Sequence, residues 1–171
     1  MRRFRKLIPS TGNVKKPTPV EFRCYRGGSW HNLWRNLDDN WRCPACGRSK
    51  YQLLRYKGGL PVYSDGNSGV ASNLIAPLAR HHDHSQGYVE IGRGRFKETV
   101  ICQDCNSAEG AARRMLNLPE DFSFSPTEIG QFVYGIPHGG VLIDFECARE
   151  IWEEYDAWKL TNERDYLVYA H

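Results

Sequence analysis

The chain lacks any apolar run near the ~20 residues that a membrane-spanning helix needs. It has no internal repeat, and no acidic residue stands among its first 20 positions. Met1-Arg2-Arg3 leads into no apolar h-region of the kind a secretory signal carries. These absences predict a cytoplasmic protein with no membrane partner. In that compartment the six cysteines stay reduced rather than pairing as disulfides. A length of 171 residues allows one domain, or a small domain with appendages, around a limited core. The net charge of +3 hides a gradient: residues 1–60 carry a net +11, residues 61–118 carry 0, and residues 119–171 carry −8. A basic N-terminal half suits a phosphate-backbone partner, with a merely solvated basic face as the plain alternative.

Four of the cysteines come as two Cys-x-x-Cys pairs, Cys43-Pro44-Ala45-Cys46 and Cys102-Gln103-Asp104-Cys105. Two intervening residues let both thiolates of a pair face one ion from a tight turn, and two such pairs complete a tetrahedral site. One pair alone would suit a redox motif, but two in a short chain point to one structural zinc. Such a staple is useful to a small core. Cys24 and Cys147 have no second ligand at knuckle spacing and are expected to be small buried residues. Between the pairs lies His81-His82-Asp83-His84. A lone histidine is more often a packing or surface residue, and His31, His138 and His171 take that reading. Three in four residues, bracketed by metal knuckles, favour function instead.

Along the chain, residues 1–20 read as a mobile basic arm holding Arg2, Arg3, Arg5, Lys6, Lys15 and Lys16. Ser29 is placed to cap a short helix with Trp30, Leu33, Trp34 and Leu37 on one face. Its tryptophans are expected in the core. Residues 48–72 look irregular or hairpin-like, with Gly58-Gly59 and Asp65-Gly66 as turn signals. Strands are predicted over 74–82 and 96–102, around a glycine-rich loop at 87–95. A helix should follow over 106–117, burying Ala108, Ala111, Ala112, Met115 and Leu116. Ser125-Pro126-Thr127-Glu128 predicts a capping box and a helix over 126–134. Asp144 should cap a last helix with the stripe Phe145, Ala148, Ile151, Trp152, Tyr155 and Trp158. The fold class is therefore α+β. A zinc-stapled ββα core over 21–118 lies between the arm at 1–20 and a helical extension at 119–171 packed on it, with additional helices at both ends.

In these residues the chain resembles the HNH group of ββα-metal (His-Me finger) endonucleases, over roughly residues 41–118. The likeness is greatest to the zinc-stapled branch around the phage recombination endonuclease VII. That pattern sets Asp-His-x-His between two Cys-x-x-Cys pairs, with the second pair leading into Asn, two small residues, Glu and Gly. Here the matching runs are His81-His82-Asp83-His84 and Asn106-Ser107-Ala108-Glu109-Gly110. His81 stands where the pattern usually has aspartate. The resemblance implies a bacterial or phage-encoded DNA endonuclease with a ββα-metal nuclease core. His82 would be the general base, and His84 would bind phosphate or orient a neighbour. His81 and Asn106 would hold one catalytic divalent cation, Mg²⁺ or Mn²⁺ or another transition metal. The product would carry a 5′-phosphate. Glu109 is either a carboxylate behind the metal ligands or a helix-face charge. Contacts to DNA are expected from Arg2, Arg3, Arg5, Lys6, Arg93, Arg95, Lys97 and Arg113. The rival readings are a non-catalytic zinc-ribbon module that binds nucleic acid and an RNA-directed nuclease. A monomer and a homodimer both fit the sequence.

Overall fold

The basic arm ends sooner than its composition implies. The computed structural model describes residues 14–63, 70–84 and 95–168, so Arg2, Arg3, Arg5 and Lys6 lie outside the described residues. Pro17 is fully buried, and its carbonyl accepts a hydrogen bond from the Tyr51 hydroxyl at 2.7 Å. Thr18 and Glu21 then form a capping box on helix α1 (Pro19–Cys24). Residues 17–20 are thus anchored structure rather than arm. Glu21 has no exposed surface and accepts from the Thr18 backbone and hydroxyl, the Tyr56 hydroxyl and the Ala71 amide. Burial alone would push its carboxyl up. These donors outweigh it and hold the carboxyl below the ordinary range.

The tryptophan segment starts differently from its pattern. A 3₁₀ turn at Gly28–Trp30 precedes α2 (His31–Asn36), whose start has no side-chain cap, so Ser29 does not play that part. Trp34 is buried, edge-on to Phe22 and Tyr25 at 6.2 and 4.9 Å, as expected of a core residue. Region 48–72 holds an unforeseen helix, α3 (Lys50–Leu53), closed by a Ser49–Gln52 capping box. Strand β1 (Arg55–Tyr56) follows and pairs antiparallel with β2 (Leu74–Ile75). The Asp65-Gly66 turn signal and most of the glycine-rich loop, with Arg93, fall outside the described residues.

The strand expected over 74–82 is two strands with different partners. Pro77 separates them, since it has no N–H to give a ladder. Strand β3 (Leu78–His81) pairs antiparallel with β4 (Thr99–Cys102), with Leu78 opposite Cys102 and His81 opposite Thr99. Helix α4 (Gln103–Leu116) starts at once from Cys102, three residues ahead of expectation. Its buried residues Cys105, Ala108, Glu109 and Ala112 recur at helical spacing. Met115 lies off that stripe and is 66 % exposed, which corrects its expected burial.

Ser125 caps α5 (Pro126–Phe132) through the foreseen box with Glu128. That helix stops at Phe132 because Val133 turns extended into β5 (Val133–Gly135), which pairs with β6 (Val141–Ile143) in a hairpin the sequence pattern did not suggest. The Asp144 carboxylate then accepts from the Cys147 amide at 3.0 Å, opening α6 (Phe145–Val168). Trp152 and Tyr155 pack on Phe122 at 4.6 and 5.1 Å, while Trp158 is 61 % exposed. Cys24 is exposed and Cys147 half-buried, so neither is the buried small residue expected.

Among the described residues, helices with three two-stranded antiparallel sheets make the fold α+β. One apolar core runs from Leu53, Leu54 and Leu78 through Ile101 to Phe124, Ile129 and Phe132. Burying each such side chain contributes about 1.5–3 kcal/mol. Among the described residues no helix is long and apolar enough to cross a membrane.

Candidate metal centre and histidine cleft

The chain brings its two cysteine knuckles together through the β3–β4 pair. The first knuckle turns tightly, with the Gly47 amide donating to the Cys43 carbonyl at 2.8 Å. The second straddles the end of β4 and the first turn of α4. All four sulfurs lie within 4.8 Å of one another, with Cys43–Cys105 at 3.9 Å and Cys46–Cys102 at 3.8 Å. A tetrahedral Zn–S₄ site with bonds near 2.3 Å has S···S edges of about 3.8 Å, so the group can hold a structural zinc. The four thiols share protons among themselves. Hydrogen bonds from Cys102 and Cys105 hold the Cys43 thiol down at about 7 and Cys46 well below the ordinary thiol range, while Cys102 and Cys105 are pushed up.

Arg48, which carried no signal in the sequence, backs this cluster. It is buried and donates to the Cys46 and Cys102 sulfurs, both at 3.3 Å. Four thiolates and Zn²⁺ leave a net negative charge, which a guanidinium offsets. The same side chain pairs with Asp104 at 2.9 Å and donates to the carbonyls of Ile136, Gly139 and Gly140 in the β5–β6 turn. Arg55 grips Asp104 with both nitrogens, at 2.7 and 2.8 Å. Two glycines make room. A Cβ on Gly135 would stand 2.8 Å from Arg48 Nε, and one on Gly130 would stand 2.5 Å from the Ala45 carbonyl oxygen. His138 is buried against Tyr51, with its Nδ1 2.9 Å from the Leu54 carbonyl. It is a packing residue, as expected of a lone histidine.

On the neighbouring face of α4 lies an open cleft of about 380 Å³, lined by Arg80, His81, His82 and His84 from the β3 side and by Asn106, Ser107, Glu109, Gly110, Arg113 and Arg114 from the helix. His81 ends β3, is buried, and stacks on Phe96 at 5.0 Å. Its Nε2 lies 2.7 Å from the Phe124 carbonyl. A carbonyl only accepts, so Nε2 carries the proton and Nδ1 keeps its lone pair. The Asn106 side chain hydrogen-bonds the same ring, and burial pushes the His81 pKa down, keeping it neutral. His82 is exposed at the cleft mouth, with its ring 4.9 Å from that of His84. Burial raises the pKa of Glu109, which accepts a hydrogen bond from the Phe124 amide. Oε1 of Glu109 and Nε of Arg113 are buried without a hydrogen-bond partner, 3.8 Å apart.

The segment just before α5, part of the extension expected to pack on the core, supports the residues of this cleft. Phe124 holds His81 and Glu109, the Ser123 hydroxyl accepts from the His84 amide at 3.1 Å, and the Glu120 carbonyl accepts from Arg113 at 2.7 Å. Comparison with known proteins brings no match: no family model, no curated protein and no solved structure.

The expected phosphate contacts separate into two groups. Arg95 is taken up within the fold. It donates to the Ser123 carbonyl and to Glu128, both at 2.6 Å, and lies over the rings of Phe122 and Tyr155 at 4.8 and 4.1 Å. Its backbone amide also donates to Asp83 at 2.6 Å. So engaged, its guanidinium is not among the side chains that line the cleft. Arg113 is likewise held by His84 and Glu120. Lys97 is exposed. Arg80 and Arg114, neither singled out by the sequence pattern, line the cleft, Arg80 beside Glu98.

Proposed function

We propose that the protein is a metal-dependent DNA endonuclease of HNH type, a ββα-metal nuclease core braced by a structural zinc. The observation that carries this reading is the state of His81. Its Nε2–H is fixed on a backbone carbonyl, and its Nδ1 lone pair is left on the side where the Asn106 side chain meets the ring, so a cation bound there would replace that contact. Ligating histidines are supported in this way, with the second ring nitrogen donating to a carbonyl or carboxylate. His81 Nδ1 and the Asn106 carbonyl oxygen would hold one divalent cation. Bound there, it would neutralise charge on the phosphate and the departing oxygen.

His82, exposed at the mouth and next in the chain, takes the proton of the attacking water. The hydroxide adds to phosphorus, the bond to the 3′-oxygen breaks, and the product keeps a 5′-phosphate. Arg80 and Arg114 attract the backbone, and the basic N-terminal residues extend that field. The cleft supplies no fixed carboxylate at the His81 position, so imidazole and amide favour Mn²⁺ or Co²⁺ over Mg²⁺. Nicking of supercoiled plasmid across a metal series tests this reading, with branched and single-stranded substrates as comparisons. Binding without cleavage under every metal would instead favour a non-catalytic nucleic-acid module.

A further inference from the structure

The sequence gives Arg113 one obvious use, a positive charge for a phosphate. Its position points to another. Nη1 of Arg113 lies 2.9 Å from Nδ1 of His84. A guanidinium has five N–H donors and no lone pair to accept with, so Nδ1 of His84 must supply the lone pair. The ring is therefore neutral with its proton on Nε2. Partial desolvation of this surface residue first, and the Arg113 charge second, both disfavour a second proton on it.

Both partners are themselves held. The second Arg113 nitrogen donates to the Glu120 carbonyl at 2.7 Å, and Glu109 lies beside Nε. The backbone of His84 is tied to Ser123. With Nδ1 engaged, the edge of the ring left to the cleft is Nε2–H, next to His82. Such a ring gives a proton in a hydrogen bond and has no free nitrogen to receive one. It is therefore excluded as the base, which leaves that part to His82.

We infer that Arg113 is a positioning residue: it sets the tautomer and direction of His84, so that the phosphate contact the resemblance implies for His84 is a hydrogen bond donated from Nε2–H of a neutral ring to a non-bridging oxygen. No proton is transferred in this contact. The inference rests on the phosphodiester-cleaving reading for its substrate. The tautomer itself stands on the geometry alone.

The test uses the full chain and reads the His84 ring by ¹⁵N NMR, alongside cleavage kinetics. In the wild type, Nδ1 should be unprotonated and Nε2 protonated. Adding inorganic phosphate should shift the Nε2–H proton downfield. Arg113→Met should mix the tautomers, abolish that shift, and lower kcat on the order of 10-fold with KM changed little. Arg113→Lys keeps one donor and the charge, so it should recover most of both. It also serves if the methionine variant folds poorly. His84→Ala should lose on the order of 10²-fold, as removal of one preorganised donor does. A protonated Nδ1 in the wild type, or no phosphate-dependent shift, overturns the proposal. So does an Arg113→Met protein with raised KM, unchanged kcat and a salt slope reduced by about 1, which would make Arg113 a plain phosphate contact. A wild type that shows the tautomer and the shift but cleaves no substrate would end the nuclease reading and leave the donor in place.

Discussion

The two ends of α4 are built on opposite principles. At its first turn, Asp104 and Cys105 face a closed cluster. Arg48 and Arg55 there spend their donors on sulfurs, carboxylate oxygens and carbonyls. Beginning with the next residue, Asn106, the same helix faces an open cleft in which a buried carboxylate oxygen and a buried guanidinium nitrogen have no hydrogen-bond partner. The two lie 3.8 Å apart as an ion pair without hydrogen-bond geometry. A fold that matches its polar groups closely at one face of a helix and loosely at the next shows where stability has been secured and where something else is held in reserve. The cysteine end can hold a metal brace, and on the proposed reading the cleft end is the working face beside it.

Breaking the brace should have the largest effect. Replacing Cys43 and Cys102 by serine should abolish zinc binding and cooperative unfolding. Structural zinc in small domains contributes about 10–16 kcal/mol, comparable with the 5–15 kcal/mol total stability of a typical domain. Elemental analysis and calorimetry check this, and a normally melting double variant would show that the brace is dispensable. Arg48→Met should keep the zinc yet lose about 3–5 kcal/mol, the usual result of stranding a buried charge partner. Amide exchange should rise across residues 133–143. An unchanged melting temperature would mean that the hairpin does not depend on Arg48.

At the cleft the sign of the comparison reverses. His82→Ala should leave melting and zinc content alone while cutting the cleavage rate at least on the order of 10²-fold, about 2.7 kcal/mol of barrier. Wild-type cleavage by that variant would place the base elsewhere. His81→Asp should cost at least about 1–3 kcal/mol in stability, because it leaves the buried Phe124 carbonyl without its donor and removes the ring that stacks on Phe96, and should shift activity from Mn²⁺ towards Mg²⁺. Retained Mn²⁺ preference would count against His81 as a ligand. Smallest for the folded body is deletion of residues 1–13, which removes four positive charges. Stability should hold, and the slope of log K against log salt should flatten by up to about 0.9 per lost phosphate contact. An identical slope would make the segment a spectator.

What was legible in the sequence was local. Knuckle spacing within four residues announces a metal turn, and Ser125-Pro126-Thr127-Glu128 announces its own helix start. Ser49 and Gln52 form the same kind of box, yet their helix is one turn long and offers no apolar repeat to be noticed. The roles of Arg48, Glu120, Ser123 and Phe124 run largely through backbone carbonyls and amides far away in sequence. A carbonyl has no letter of its own, so no pattern marks it. Arg95 is a related case. Its charge is visible but its direction is not, and Glu128 serves both as a helix cap and as the carboxylate that receives it.

The distance between the knuckles also sets a timetable. Cys46 precedes Cys102 by 56 positions, so at 5–20 residues per second of synthesis the first pair of thiols waits roughly 3–11 s for the second. Through that interval the growing chain carries half a metal site, open to oxidants and to ions that bind two sulfurs loosely. The brace closes late, once β4 and the first turn of α4 have emerged, and the cleft can assemble only after segment 120–124 follows them.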